Sequence, residues 1–221
     1  MARIARIVIP GIPHHVTQRG NRRETVFFDD DDFHHYKALL WDAAEKTGTE
    51  VWAYCLMPNH VHLILVPRDE DGLRATVADA HRRYTRRINA RNKWTGHLWQ
   101  GRFGSVAMDE AHLANAVRYV SMIPVRARLV DTATDWQWSS ARAHVDAKDD
   151  GLVRVDRVLT RIPDFAALLE SAEDAQMTAA LRLSETTGRP IGAPDWIGEM
   201  EERLGRRLSP RKRGRKPNAQ N

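Results

Sequence analysis

Cysteine is nearly absent. Cys55 is the only one in 221 residues, so no internal disulfide can form and a reducing, cytoplasmic setting is expected. No apolar run approaches the roughly 20 residues that a membrane-crossing helix needs. The first nine residues lack a sustained apolar stretch and are followed by Pro10 and Pro13, so no signal peptide is expected. A Gly-x-x-x-x-Gly-Lys-Ser/Thr loop and any other Gly-rich phosphate cradle are missing, which argues against nucleotide hydrolysis. Carboxylates are scattered, and no local spacing supports an acidic metal site for hydrolytic DNA cutting. No internal repeat is visible. What remains, 42% hydrophobic and 29% charged residues, describes a soluble globular chain of one ordinary domain with an appendage.

The excess of positive charge is modest, +5, but it is segregated. Residues 203–216 hold eight Lys or Arg and no acid, among them Arg211, Lys212 and Arg213. Residues 80–108 are also acid-free and carry Arg82, Arg83, Arg86, Arg87, Arg91, Lys93 and Arg102. Two such blocks fit a polyanionic partner, most simply nucleic acid. The competing reading is a solvated helix face followed by a disordered tail.

Periodicity predicts a first strand over 14–19, then the polar turn 20–23. The acidic run 29–32 precedes Phe33, Tyr36, Leu40 and Ala44 at helical spacing, and acids at that position suit a helix start better than a metal site. Gly48 would end this helix. Apolar runs over 51–57 and 60–66, joined by Pro58-Asn59, predict adjacent antiparallel strands. A helix over 73–89 would bury Leu73, Val77, Tyr84 and Ile88, with Arg82, Arg83 and Arg86 largely opposite. A strand over 99–108 follows, then a helix capped by Asp109 and running to Pro124, and a short element from 136. This order predicts an α+β fold with helices on one side of a mainly antiparallel sheet. Beyond residue 149 one helix fits 165–183, a Gly/Pro linker 187–193, a second helix 196–204, and then a basic tail expected to be disordered when free.

His60 and His62 stand two apart on a predicted strand, so both imidazoles project from one face. That pairing suits a divalent cation, although paired histidines on a half-buried strand also serve as local hydrogen-bond partners. Of the four tyrosines, Tyr36, Tyr54 and Tyr84 fall in apolar register. Tyr119 lies off the apolar arc Leu113, Ala116, Val117 and Val120, grouped instead with His112, Asn115 and Ile123. It is the best candidate for chemistry. Trp94 or Trp99 could stack on an unpaired base, with core packing as the competing reading and the preferred one for Trp99.

Several stretches carry a resemblance, in order along residues 1–145: His15-Val16-Thr17-Gln18-Arg19-Gly20-Asn21, Met57-Pro58-Asn59-His60-Val61-His62-Leu63, residues 96–103 (GHLWQGRF), Tyr119 with Pro124-Val125-Arg126-Ala127, and Trp138-Ser139-Ser140. Together they resemble the REP-associated tyrosine transposases, a bacterial group within the HUH single-tyrosine transposases. Thr187-Gly188-Arg189-Pro190 and the basic tail also look like that group. The resemblance implies a ferredoxin-like catalytic domain over 1–148 and a helical extension with a basic tail over 149–221. It implies Mg²⁺ or Mn²⁺ held by His60 and His62, and Tyr119 as the nucleophile of a single-stranded DNA endonuclease and strand transferase. Such an enzyme acts at palindromic hairpins through a 5′-phosphotyrosine intermediate. The implied partner is single-stranded or hairpin DNA in the cytoplasm, at the nucleoid, with no membrane, bound by a monomer or homodimer. Arg19, Arg22, Arg82, Arg83, Arg86, Arg102, Arg211, Lys212 and Arg213 are the expected DNA contacts.

One position departs from the family pattern. The family usually has Asn four residues after the tyrosine as a further metal ligand, and here that position is Ile123. Either Asn115, His112 or water completes the coordination, or the chain has drifted toward binding hairpin DNA without turnover. Retained activity is the expectation, with Mn²⁺ serving at least as well as Mg²⁺ because two imidazoles suit a transition metal.

Overall fold

Pro58 and Asn59 make a two-residue turn that closes the tightest hairpin of the molecule, pairing Met57 with His60. The computed structural model describes residues 5–209. Around this hairpin, β2 (Glu50–Met57) and β3 (His60–Val66), a four-stranded sheet is completed by β1 (His14–Arg19) and β4 (Gly104–Ala107). The order is β2-β3-β1-β4, with every neighbouring pair antiparallel. Helices α1 (Asp30–Thr47) and α2 (Gly72–Asn92) make the crossovers, giving the βαββαβ arrangement of ferredoxin-like folds. Asp29 caps α1 by accepting from the Asp32 amide, and Gly48 ends it in the left-handed region at φ 65°, as the acidic run and the glycine predict.

The expected antiparallel α+β fold is present, but helices cover both faces of the sheet rather than one. Val16, Tyr54, Leu56, Val61, Leu63 and Leu65 pack against α1 and α2. On the other face Ala53, Cys55, Ile64 and Val106 pack against α3 (Glu110–Ser121), through Leu113, Ala116, Val117 and Val120. The reason lies in β2 and β3, which bury every residue except Glu50 and His60. A strand apolar on both sides needs two covering layers.

Three element boundaries also differ from expectation. The strand expected over 99–108 is confined to Gly104–Ala107. Gly96 and Gly101 adopt φ of 94° and 59°, a left-handed backbone that cannot continue a strand. Residues 98–100 instead wrap the end of β1, where Gln100 N donates to the Arg19 carbonyl at 2.8 Å. Helix α3 stops at Ser121, and a separate turn, α4 (Ile123–Arg126), starts with Pro124 in its first turn, where the missing N–H costs nothing. The single helix expected over 165–183 is two, α7 (Phe165–Glu170) and α8 (Ala175–Thr187). They are divided by an extended Ser171 and by Asp174, which caps α8 through the amides of Gln176 and Met177. Short helices α5 (Ala141–Val145) and α6 (Asp156–Leu159) precede them, and α9 (Pro194–Leu204) follows.

Residues beyond 149 share the main core. Leu152 and Val153 join the α1/α2 side, whereas Val158, Phe165, Leu181 and Ile191 join the α3 side. Ile191 also bridges Met108 in parallel fashion. These contacts lay α8 against α3 and β4, over the face that carries the paired histidines. No helix among the described residues is long and apolar enough to cross a membrane.

Candidate active site

Strand register decides which side chains meet. His62 lies opposite Thr17, and His60 opposite Arg19; paired residues share a face, so His15, Thr17 and Arg19 stand with His60 and His62 on the α3 side. His15 reaches diagonally to His62, and its Nε2 lies 2.9 Å from His62 Nδ1. From α8, Glu185 places Oε1 3.3 Å from His15 Nδ1. The ligand-type atoms of His15, His62 and Glu185 all fall within 4.8 Å of one another. His60 has its ring centre 5.1 Å from that of His62, and its Nδ1 lies 2.6 Å from Asn59 Oδ1.

Tyr119 stands at the edge of this group, its ring 5.9 Å from His15 and 6.0 Å from His62. Two guanidinium groups flank it. Arg126 lies 4.3 Å over the ring and donates to the Tyr119 main-chain carbonyl, and Arg182 of α8 lies 5.6 Å from the ring centre. The other three tyrosines are buried, with hydroxyls engaged by His81, Asp150 and the Val26 carbonyl. Tyr119 alone is partly open.

Burial sets the protonation of the site. It lowers His15 to about 3 and, with Arg19 nearby, His60 to about 4. His62 is held well below its ordinary value by burial first, then by His15, His60 and two arginines. All three rings are therefore neutral at pH 7, and the His15–Glu185 contact is not an ion pair. Burial raises the Glu185 carboxyl to about 7, opposed by Arg182 and Arg19. A bond to Tyr119 raises Arg182, whereas burial lowers Arg126.

His60 and His62 line a cleft of about 540 Å³, together with Arg6, Arg19, Arg102 and Glu185. A second, more apolar depression shares Arg6, Arg102 and Phe103 with it and adds Arg82, Arg86 and His97. The loop at 97–103 separates the two. Cationic walls of this kind suit a phosphate backbone.

The structure therefore gathers His60, His62 and Tyr119 on one face and puts Arg19 and Arg102 at the cleft. Arg82 and Arg83 are drawn into surface ion pairs, with Asp79 and with Asp42 and Asp79 respectively. Arg22 is exposed in the turn after β1, at φ 53°. His112 is tied 2.6 Å from Asp109 at the start of α3 and is not among the three clustered ligand-type residues, and Asn115 is half-buried along that helix. Ile123 is 8% exposed within the apolar cluster. Trp99 is buried and stacks on His81 at 4.3 Å, while Trp94 is 49% exposed beside Phe28. Arg211, Lys212 and Arg213 lie outside the described residues.

Sequence reasoning missed His15, Glu185, Arg126 and Arg182 as parts of this group. His15 and Arg126 stood in the quoted stretches, but only the register of β1 on β3 and the turn after α3 give them their places. Glu185 and Arg182 had no local signal, because they reach the site through the docking of α8.

Residues 9–122, more than half of the chain, match the family model described as "Transposase IS200 like". A Haemophilus influenzae protein assigned as a REP-associated tyrosine transposase is 26% identical over 124 residues, covering 51% of this chain and 70% of its own. A solved structure of a REP-associated tyrosine transposase bound to a REP hairpin superposes with a TM-score of 0.58 at 21% identity, over 71% of this chain and 90% of that one. A Deinococcus radiodurans crystal structure assigned as a transposase is 24% identical over 54% of this chain and 95% of its own, with a TM-score of 0.39. By that family match over more than half of its length, the chain belongs to the IS200-like transposases.

Proposed function

We propose that this protein is a metal-dependent, single-stranded DNA endonuclease and strand transferase acting at or near hairpin repeats, with Tyr119 as nucleophile. The observation that carries the reading is a partly open tyrosine, flanked by two guanidinium groups, whose ring lies 6.0 Å from that of His62, one of the neutral histidine pair that lines a cationic cleft. In cleavage the Tyr119 Oη gives up its proton and forms a bond to the scissile phosphorus, and the P–O3′ bond breaks. The leaving O3′ takes a proton, and the 5′-phosphate stays on the tyrosine. A 3′-OH attacking that phosphotyrosine reverses the step, so the ends rejoin without a nucleotide cofactor. Arg126 and Arg182 are placed to balance the phosphate charge beside the ring.

His60 and His62 fit a divalent cation. Both are neutral, both line the cleft, and both commit Nδ1 inside the protein, to Asn59 and to His15. Each Nε2 is free of hydrogen bonds among the described residues. Bound there, Mn²⁺ or Mg²⁺ would polarise and orient the phosphate, and the two imidazoles favour Mn²⁺. Arg6, Arg19 and Arg102 track the DNA backbone along the cleft, with Arg82, Arg86 and the basic tail extending the path.

Incubating the protein with an end-labelled single-stranded hairpin and Mn²⁺ tests this reading. A denaturation-resistant protein–DNA adduct is expected, lost in Tyr119→Phe and with EDTA. Tight hairpin binding without an adduct would replace it with a binding protein that lacks turnover, the reading that Ile123 in place of a polar ligand favours.

A further inference from the structure

We propose that Glu185 acts through His15 to hold His62 in the tautomer whose Nε2 lone pair is open to the cleft. The proposal rests on His60 and His62 as the metal pair and adds two positioning residues behind them.

A neutral imidazole carries one N–H and one lone pair. Across the 2.9 Å contact between His15 Nε2 and His62 Nδ1, one nitrogen donates and the other accepts. Suppose His62 Nδ1 donates. Then His62 Nε2 keeps its lone pair, and His15 carries its own proton on Nδ1, facing Glu185 Oε1 at 3.3 Å. Suppose instead that His15 Nε2 donates. Then His62 is protonated on Nε2 and cannot ligate, and a His15 lone pair faces a carboxylate oxygen. With the Glu185 carboxyl ionised, two buried acceptors would stand against each other with no proton between them. The carboxylate at the end of the chain selects the first arrangement.

Burial makes that selection effective. His15 Nδ1 and Glu185 Oε1 are both buried without a formed hydrogen bond, and they stand 3.3 Å apart. Leaving such a pair unsatisfied is costly, so a small turn of the carboxylate that brings Oε1 into line with Nδ1, already 3.3 Å away, is favoured. Burial raises the Glu185 carboxyl to about 7, opposed by Arg182 and Arg19, so the anionic, accepting form prevails above about pH 7 and the selection operates there.

His60 is fixed in the same sense by a separate device. Asn59 Nδ2 donates to the Arg23 carbonyl at 3.0 Å, which turns Oδ1 toward His60 Nδ1 at 2.6 Å. Because that oxygen only accepts, His60 Nδ1 must donate. Both members of the pair thus present Nε2, one set by an amide and the other by a two-residue relay. Partners that orient metal-ligating histidines in this way act on affinity without touching the ion. Direct ligation by Glu185 is the weaker reading, since the preformed cluster of His15, His62 and Glu185 excludes His60.

The test uses the full chain, labelled with ¹⁵N-histidine and free of metal, at about pH 8.5, where the Glu185 carboxyl is ionised. Long-range ¹H–¹⁵N correlation spectra read each tautomer directly. In the wild type His62 is expected to carry its proton on Nδ1, and in Glu185→Leu and Glu185→Ala to shift toward Nε2, with His60 unchanged. Mn²⁺ titration followed by electron paramagnetic resonance should show affinity lower by about 10–100-fold in both variants. A wild-type His62 protonated on Nε2 overturns the relay, as does an unchanged tautomer in a variant whose amide spectrum shows it folded. Lower Mn²⁺ affinity with an unchanged tautomer also overturns it, in favour of direct ligation. If the tautomer shifts as expected but Mn²⁺ binds neither protein, the relay stands and the metal pair of the proposed function falls.

Discussion

At the scale of single residues, Ile123 shows how a change of chemistry is absorbed. It stands where the sequence resemblance implies a polar residue, and it is built into the apolar cluster that also holds Val120 of α3. Ile123→Asn should therefore destabilise the fold by about 2–4 kcal/mol, through lost apolar burial and an amide without assured partners. Urea unfolding would register this as a lower midpoint at unchanged slope; an equal or higher midpoint would show that the position still accepts a polar side chain. Residue-scale features were also the most legible in the sequence. The alternation of His60 and His62 with Val61 and Leu63 and the off-arc position of Tyr119 were readable because each depends only on local periodicity. His15 was not, because its partner is 47 residues away and is found only when β1 pairs with β3. Trp99, placed in the core by preference, is there, although in a loop rather than a strand.

At the scale of elements, α8 is the part whose meaning the sequence hid. Its composition reads as an ordinary amphipathic helix. What matters is that Thr178 and Leu181 turn inward while Arg182 and Glu185 reach the tyrosine and histidines. The helix owes its start to Asp174, whose side chain accepts from two amides at 2.9 Å each. Asp174→Ala should cost about 1 kcal/mol, seen as roughly fivefold faster amide exchange across α8 with little change in the sheet. Unchanged exchange in α8 would mean that packing on α3 alone sets the helix. Signals within one element, such as Asp29 before α1 and Gly48 after it, were legible in advance. The loop at 98–103 was misread as strand because its Leu98, Trp99 and Phe103 are buried, and burial without alternation does not separate loop from strand.

At the scale of the whole molecule, the two-sided sheet buries a set of neutral histidines. His14 is lowered to about 4 by burial, partly opposed by its bond to the Ile12 carbonyl, and His81 to about 3 by burial. The His14 ring accepts from the Ile9 amide at 3.2 Å and lies 2.7 Å from the Ile12 carbonyl, so protonation would break the first of these. Folded pKa values below the unfolded value of about 6.5 mean that the unfolded chain binds more protons at acid pH. Their stabilisation is complete above about pH 6.5 and is lost as pH falls toward 4 and then 3. Thermal unfolding from pH 7.5 to 4.5 should show a Tm that is level at first and falls below about 6.5. A level Tm down to pH 4.5 would mean that these rings take up protons without penalty. Overall topology was largely legible from element order; the second helical layer was not, because α3 and the extension reveal their sheet-facing sides only once folded.

The position of α8 along the chain has a consequence in time. The region shared with the family is finished at residue 122, so Tyr119, His60 and His62 leave the ribosome's catalytic centre well before Arg182 and Glu185 are added. At synthesis rates of about 5–20 residues per second this interval is on the order of 3–13 s. A nascent chain in that window carries the proposed nucleophile and histidine pair without the arginine proposed to balance the phosphate charge and the glutamate proposed to orient His62. Under the proposed function, the order of translation would act as a timer that delays competence to cut DNA until the last helices have docked.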